Sequence, residues 1–325
     1  VEDQVKNFII TFTSIRYEAM PFIVLGALIA GLLEELVPQQ LVARLIPRSR
    51  ALAIGIGGLL GILFPMCECG IIPVMRRLLR KGVPLSCCVC YMLAGPIINV
   101  VVMLSTYVAF SGMELATDST GKLTHQLGGV GMMCWRMGLG YLVACGASFV
   151  VEWQYRKHGN ALLAAGALPD VKAAENDALE APSERKSVLE RLGSISETAL
   201  HDFVDIMVYL ILGALLAALS RQLFPHATVE EWSRTQPVFA IVLMMGLAIV
   251  LCLCSEADAF VAASFVGLRP ASKLAFLVLG PMLDFKLYMM YTRVFRPRLI
   301  FTIIISVVIQ VFIYALIFHV IWERL

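Results

Sequence analysis

Apolar segments long enough to enter a lipid bilayer recur along this chain from end to end, and they restrict its possible folds more than any other feature. Eight can be marked, near 17–37, 51–80, 84–110, 128–153, 202–224, 237–268, 272–292 and 298–322. A hydrocarbon core about 30 Å thick takes roughly 20 apolar helical residues to cross. Inside it every backbone polar group must be satisfied, so irregular backbone survives only against protein or a water-filled cavity. The reading is an all-α integral membrane protein, multi-pass, in the cell (inner) membrane. Charge agrees: 15% of the residues are charged and 59% hydrophobic, with a mean hydropathy of +0.82, whereas soluble domains carry about 25% charged residues. The lipid bilayer is thus the first partner. A net charge of +2 without a basic stripe offers nothing to nucleic acid.

One stretch breaks the apolar pattern. From Tyr155 to Leu200 the chain is polar and of mixed charge, with Lys172, Glu175, Asp177, Glu180, Glu184, Arg185 and Lys186. On either side of it the sequence repeats. With residue n set against n+187, Glu18 meets Asp205, Leu25-Gly26-Ala27-Leu28 meets Leu212-Gly213-Ala214-Leu215, Pro38 meets Pro225, and Cys67 meets Cys254. After a two-residue deletion Gly95-Pro96 meets Gly280-Pro281 and Asn99 meets Asp284. One register held over that length, carrying acids, prolines and a cysteine, implies duplication. Residues 1–153 read as a first membrane repeat, 154–201 as a cytoplasmic polar linker, and 202–325 as a second repeat.

The second element of each half is interrupted. The apolar run 51–65 would span only about 22 Å as a helix, and then meets Pro65 and, after Met66-Cys67-Glu68-Cys69, Gly70. Proline and glycine break helices there. Arg44, Arg48 and Arg50 precede the element, and Arg76, Arg77, Arg80 and Lys81 follow it. By the positive-inside rule both flanks are cytoplasmic, which makes the element a re-entrant or broken helical hairpin. The loop 111–127, with Glu114, Asp118 and a single Lys122, falls outside; the linker and Arg293, Arg296 and Arg298 fall inside. Each repeat then has three transmembrane helices plus one hairpin. The odd number of crossings inverts the second repeat, the plan of many secondary transporters. Arg269 and Lys273, which this plan places outside, run against the charge rule.

If both hairpins reach the midplane, their tips meet. One carries Cys67, Glu68, Cys69 and Gly70; the other carries Cys252, Cys254, Ser255, Glu256 and Asp258. An acid at that depth costs about 2.5–3.5 kcal/mol on insertion scales and marks a functional site by default. Thiolates are soft ligands, so Cys67, Cys69 and Cys254 are candidate donors to a soft metal or metalloid. Asn99 and Asp284, after the helix-breaking pairs Gly95-Pro96 and Gly280-Pro281, would line the same cavity. The substrate-binding candidates are thus Cys67, Glu68, Cys69, Cys254, Ser255, Asp258, Asn99 and Asp284. Candidates for proton coupling are Glu68, Asp258, Glu18 and Asp205. Lys286 follows Asp284 by two residues, so in a regular helix it would face away from it and find an acid on another helix. Each of these has a plainer alternative: small apolar filler for the cysteines, a helix cap for Glu68 and Asp258, a packing kink for Gly-Pro.

These residues also carry a resemblance. Phe64-Pro65-Met66-Cys67-Glu68-Cys69-Gly70-Ile71-Ile72-Pro73, then Lys81-Gly82-Val83-Pro84 and Ala94-Gly95-Pro96-Ile97-Ile98-Asn99, resembles the predicted-permease family that includes the YraQ and ArsP proteins. Cys254-Ser255-Glu256-Ala257-Asp258-Ala259-Phe260 is similar to that family's Cys-Ser-x-x-Asp-Ala-Phe signature. The resemblance implies a multi-spanning permease of the inner membrane. In the ArsP branch it implies efflux of trivalent organoarsenicals, with cysteines engaging the arsenic. Glu68 departs from it, since many relatives carry serine there.

The expected function is a secondary-active permease, not an enzyme. It has no GxxxxGK[ST] motif for ATP and needs no resident cofactor. Its solute would be small and thiophilic, a trivalent organoarsenical, another metalloid or a soft metal ion, moved by proton-coupled efflux. One alternative is a permease for a sulfur-containing or other anionic solute with a cysteine relay. Another is a membrane thiol oxidoreductase using the CxxC spacing of Cys87 and Cys90. A homodimer or an accessory subunit is compatible with either transporter.

Overall fold

The computed structural model describes residues 49–64, 66–112, 115–117, 123–125, 127–163, 237–265 and 268–322, together with isolated positions within 6–28, at 47 and within 196–215. The expected elements at 17–37 and 202–224, the polar linker, and Glu18, Asp205 and Pro65 lie outside the continuously described residues.

The described chain is helical apart from one small hairpin. Helix α1, Arg50–Leu63, starts where the Ser49 side chain accepts from the Leu52 amide at 3.3 Å. Helix α2, Glu68–Arg80, begins after a short break with Cys67 in extended conformation. Pro73 lies within α2 and has no N–H to close a helical bond. The end of α2 is set by Gly82, at φ 84°, a conformation that glycine adopts without penalty. There Val83 N–H donates to the Leu78 carbonyl at 3.1 Å and Gly82 N–H to that of Leu79 at 3.0 Å, which is the Schellman pattern. Pro84 then opens helix α3, Leu85–Ala94, which is buried along its whole length.

Sequence reading expects one element over 84–110. The structure has two, because Gly95-Pro96 interrupts the segment instead of kinking it. Helix α4, Val100–Phe110, starts afresh at Asn99, whose Oδ1 accepts from the Val102 amide at 2.9 Å. Asn99→Ala should cost about 1–2 kcal/mol through loss of that cap, whereas Asn99→Ser should be milder. A melting temperature unchanged by Asn99→Ala would refute the capping role.

A two-stranded hairpin follows, β1 (Leu115–Thr117) antiparallel to β2 (Leu123–His125). Helix α5, Gly129–His158, is long enough to cross a membrane, and a 3-10 turn, Gly159–Leu162, closes this part of the chain.

The same order returns. Helix α6, Pro237–Leu251, starts 187 residues after α1. It gives way at Cys252, which holds φ at 47° and whose thiol donates to the Ile249 carbonyl at 3.3 Å. Helix α7 is Ala257–Ser264 and helix α8 is Pro270–Leu279, with proline in its first turn. A break at 280–284 again replaces the single element expected over 272–292. Helix α9, Phe285–Tyr291, is capped by Asp284, whose Oδ1 accepts from the Leu287 amide at 2.5 Å. Helix α10, Pro297–Trp322, is the second helix long and apolar enough to cross.

Packing repeats with the order. α1 lies on α3 and α6 on α8; α3 lies on α5 and α8 on α10; α2 touches α9 while α7 touches α4; and α5 packs on α10. Exchanging the two sets leaves each of these pairings in place. The outside is apolar. On α10, Phe301, Ile305, Ile309, Ile313 and Ile317 form an exposed stripe at four-residue steps, and on α1 Leu52, Ile56, Leu59 and Leu63 are exposed. Charge lies inside, with Glu68, Arg136, Asp258, Asp284 and Lys286 all buried. Apolar faces outward and ions inward suit a lipid solvent.

Candidate functional site

The site is built where the helices are interrupted. Glu68 is the first residue of α2 and is 2% exposed, with its carboxylate beside the partially positive N-terminus of that helix. Its Oε1 accepts from Lys286 Nζ at 2.9 Å, and its Oε2 accepts from Ser255 Oγ at 3.2 Å. Ser255 stands 187 residues away, the repeat register itself. One carboxylate therefore joins the break before α2 to the break before α7.

Lys286, in α9, is itself 2% exposed and lies 3.7 Å from Asp284 Oδ2. The sequence argument that positions 284 and 286 face apart holds only inside a regular helix. Asp284 is the cap, in extended conformation, which turns its second oxygen toward the ammonium. Asn99 and Asp284 use one oxygen each to cap helices, and only Asp284 keeps a second near the cluster. Asp258 is 1% exposed, in the first turn of α7. It lies against Gly280, where an added Cβ would stand 2.6 Å from its Oδ2. That approach requires a residue without a side chain, which accounts for the glycine of this Gly-Pro pair.

Arg136 is the residue that sequence reading missed. It lies on α5, 1% exposed, and joins three elements. One guanidinium nitrogen donates to Thr106 Oγ1 on α4 at 2.7 Å, and the other to the Ser255 carbonyl at 2.7 Å. Asp258 and Glu68 both act on it electrostatically. An arginine inside the apolar stretch of a long helix was the available signal. Lys286 was noticed in the sequence, but its pairing with Glu68 crosses 218 positions.

The cysteines divide. Cys67 and Cys69 flank Glu68, both buried and near each other, while Cys254 is half-buried beside Ser255. All of the described cysteines are free thiols. Among the described residues no group of three or more His, Cys, Asp or Glu side chains is arranged to hold a metal ion, so Cys67, Cys69 and Cys254 do not close into the set expected for a metal. In the CxxC segment, Cys90 Sγ lies 3.8 Å from Cys145 Sγ on α5, and Cys87 acts on Cys90 electrostatically.

Comparison with known proteins places these features in a wider group. A family described as predicted permease, of the ArsP_1 type, matches residues 4–320. The UPF0718 protein YcgR of Bacillus subtilis (strain 168) is 36% identical over 301 residues, covering 92% of each chain. A protein of Streptococcus mutans, described as a candidate two-component membrane permease complex subunit, is 31% identical over 309 residues, covering 94% of this chain and 93% of its own. No solved structure matches the chain.

Proposed function

We propose, because the chain belongs to the predicted-permease family, that it is a secondary-active permease of the inner membrane that moves a small thiophilic solute past the Glu68 cluster. Family membership carries the coarser part, a membrane permease. One observation carries the rest: the two interrupted segments meet at Glu68, buried, between Ser255 at 3.2 Å and Lys286 at 2.9 Å. Ions kept at such depth are expensive, and they are retained where something polar must pass.

The permease is built as two inverted repeats, 1–153 and 202–325, with a cytoplasmic linker at 154–201. In each repeat the hairpin, α1 with α2 or α6 with α7, re-enters from one side. Two features support this reading. Most pairings of the helices survive exchange of the two sets. In addition, Arg296 N–H donates to the Leu162 carbonyl at 2.9 Å, and Leu163 bridges Phe295. The end of α5 therefore sits beside the start of α10. Those helices close their respective repeats, and they run in opposite directions, as inversion requires.

Cys67 and Cys69 supply soft donors at the tip, and Cys254 is a third within the opposite hairpin. Two adjoining sulfurs suit a trivalent metalloid that keeps an organic substituent. A bare soft ion such as zinc takes four ligands in a closed site, which the described residues do not assemble. Acids outnumber bases around Glu68, which favours a cationic or protonated traveller over an anion. Glu68 and Asp258 exchange protons as the repeats rock. The Streptococcus relative is described as one subunit of a two-component complex, and an accessory subunit is proposed here on that likeness.

Proteoliposomes offered trivalent arsenicals, zinc, copper and thiosulfate under a proton gradient test this reading by elemental analysis. Accumulation of one soft species, lost in Cys67→Ser, is expected. Glu68→Gln keeps an oxygen for Lys286 and Ser255, so the protein should fold, and gradient-driven uptake should fall at least about tenfold, a barrier change of about 1.4 kcal/mol. Undiminished uptake in that variant would remove the proton role. Uptake of thiosulfate alone would remove the thiophilic one.

A further inference from the structure

The two breaks at the Gly-Pro pairs occupy matching places, yet they have diverged in chemistry. In the first set, a Cβ added to Gly95 would stand 2.7 Å from Ile71 Cδ1; in the second, one added to Gly280 would stand 2.6 Å from Asp258 Oδ2. Ile71 and Asp258 are 187 apart, the repeat register. Following the same correspondence, with its two-residue deletion, Asn99 gives way to Asp284, and Val101 to Lys286. One pocket is apolar and neutral. Its counterpart holds two acids and an ammonium, and Glu68 reaches into it from the opposite hairpin.

That pocket is not electrically closed. Glu68, Asp258 and Asp284 face Lys286 and Arg136, three acids against two bases, all at 1–2% exposure. Asp258 Oδ2 and Asp284 Oδ2 are buried and make no hydrogen bond. Carboxylate oxygens without a hydrogen bond at that depth are costly. Lys286 Nζ stands 2.9 Å from Glu68 and 3.7 Å from Asp284, and it acts on Asp258 electrostatically.

We propose that Glu68, Asp258 and Asp284 form a site for one small monovalent cation, and that Lys286 fills it as a cation tethered to the protein. The ammonium holds the place when the site is otherwise empty, and an arriving cation displaces it. The consequence for transport rests on the reading of this cluster as the transport site: the carrier would return unloaded with Lys286 as its internal countercharge. The occupancy itself does not depend on transport.

Binding is therefore tested without transport, by thermal melting of the purified full-length protein in sodium chloride and in choline chloride at equal ionic strength. The wild type should melt alike in both. Lys286→Gln, with its tether removed, should melt at least about 3 °C higher in sodium, since a ligand that binds only the folded state stabilises it. Asp258→Asn combined with Lys286→Gln should lose that response. Glu68→Gln with Lys286→Gln, which removes one charge of each sign, checks that the scaffold accepts glutamine at 286. Equal melting of Lys286→Gln in both salts would overturn the proposal, as would a sodium response of the wild type equal to that of the variant, or one that survives Asp258→Asn. Failure of Lys286→Gln to fold in either salt while the Glu68→Gln, Lys286→Gln protein folds would also overturn it, because a cation site would accept sodium in place of the ammonium. Undiminished solute uptake by Lys286→Gln with the sodium response intact would count against the transport reading and leave the cation site standing.

Discussion

Arg136→Met is expected to destabilise the protein by about 3–5 kcal/mol, the usual consequence of removing one partner from a buried, hydrogen-bonded ionic group. Methionine nearly matches the length of the side chain and belongs in an apolar helix, so packing along α5 should survive. The damage is polar. Thr106 Oγ1 and the Ser255 carbonyl each lose a donor at 2.7 Å, and the Glu68 and Asp258 carboxylates lose a counterion. Arg136→Lys should fall between the two proteins, because a single ammonium restores the charge but cannot donate in two directions as a guanidinium does. Melting of the purified variants, ranked wild type, Arg136→Lys, Arg136→Met, checks the order. A methionine variant that melts within a degree of the wild type would show that α4, α5 and the turn before α7 are held together by packing alone.

Gly61→Ala should also destabilise, for a steric reason. A Cβ at Gly61 would stand 2.6 Å from the Ile98 carbonyl oxygen, 2.7 Å from Gly95 Cα and 2.8 Å from Gly95 O. All three are backbone atoms of the break after α3, so no side chain can swing aside. The helix must instead retreat from the segment it covers. Small residues at such contacts are what let helices approach in a membrane, and overpacking costs about 1–3 kcal/mol. Alanine's better helix propensity, worth about 1 kcal/mol, works the other way and sharpens the comparison. At Gly138 and Gly246 an added Cβ meets nothing within 4 Å. Alanine there should be neutral or stabilising, while at Gly61 it should lower the melting temperature. The same response at all three positions would rule out the close approach as its cause.

Much of the fold could be read in advance because lipid makes sequence patterns unambiguous. The interruption before α2, the helices α5 and α10, and the register linking Cys67 to Cys254 all follow from apolar runs, prolines and glycines. The break within 84–110 was harder. A proline in an apolar run either kinks a helix or ends it, and the outcome depends on whether a cap waits beyond. Asn99 and Asp284 are those caps, and the sequence presented them as cavity-lining groups because capping is a matter of backbone angles. The site divides in the same manner. Glu68, Ser255 and Asp258 announced themselves as polar residues at helix breaks. Arg136 sits in no motif, and half of its anchoring is to a backbone carbonyl 119 positions away, a partner that has no residue identity to recognise.

Cys252 carries a lesson about what a retained thiol signifies. Its left-handed backbone, φ 47°, costs a residue with a side chain about 1–2 kcal/mol relative to glycine. Its sulfur, in turn, donates to the Ile249 carbonyl at the end of α6, where that oxygen has lost its helical partner, and a hydrogen bond of that kind returns about 1 kcal/mol. The two contributions nearly cancel. A glycine at this position would relax the chain and orphan the oxygen in similar measure, so the position is close to thermodynamically indifferent between the two residues. Drift from cysteine to glycine there would report on neither thiol chemistry nor stability.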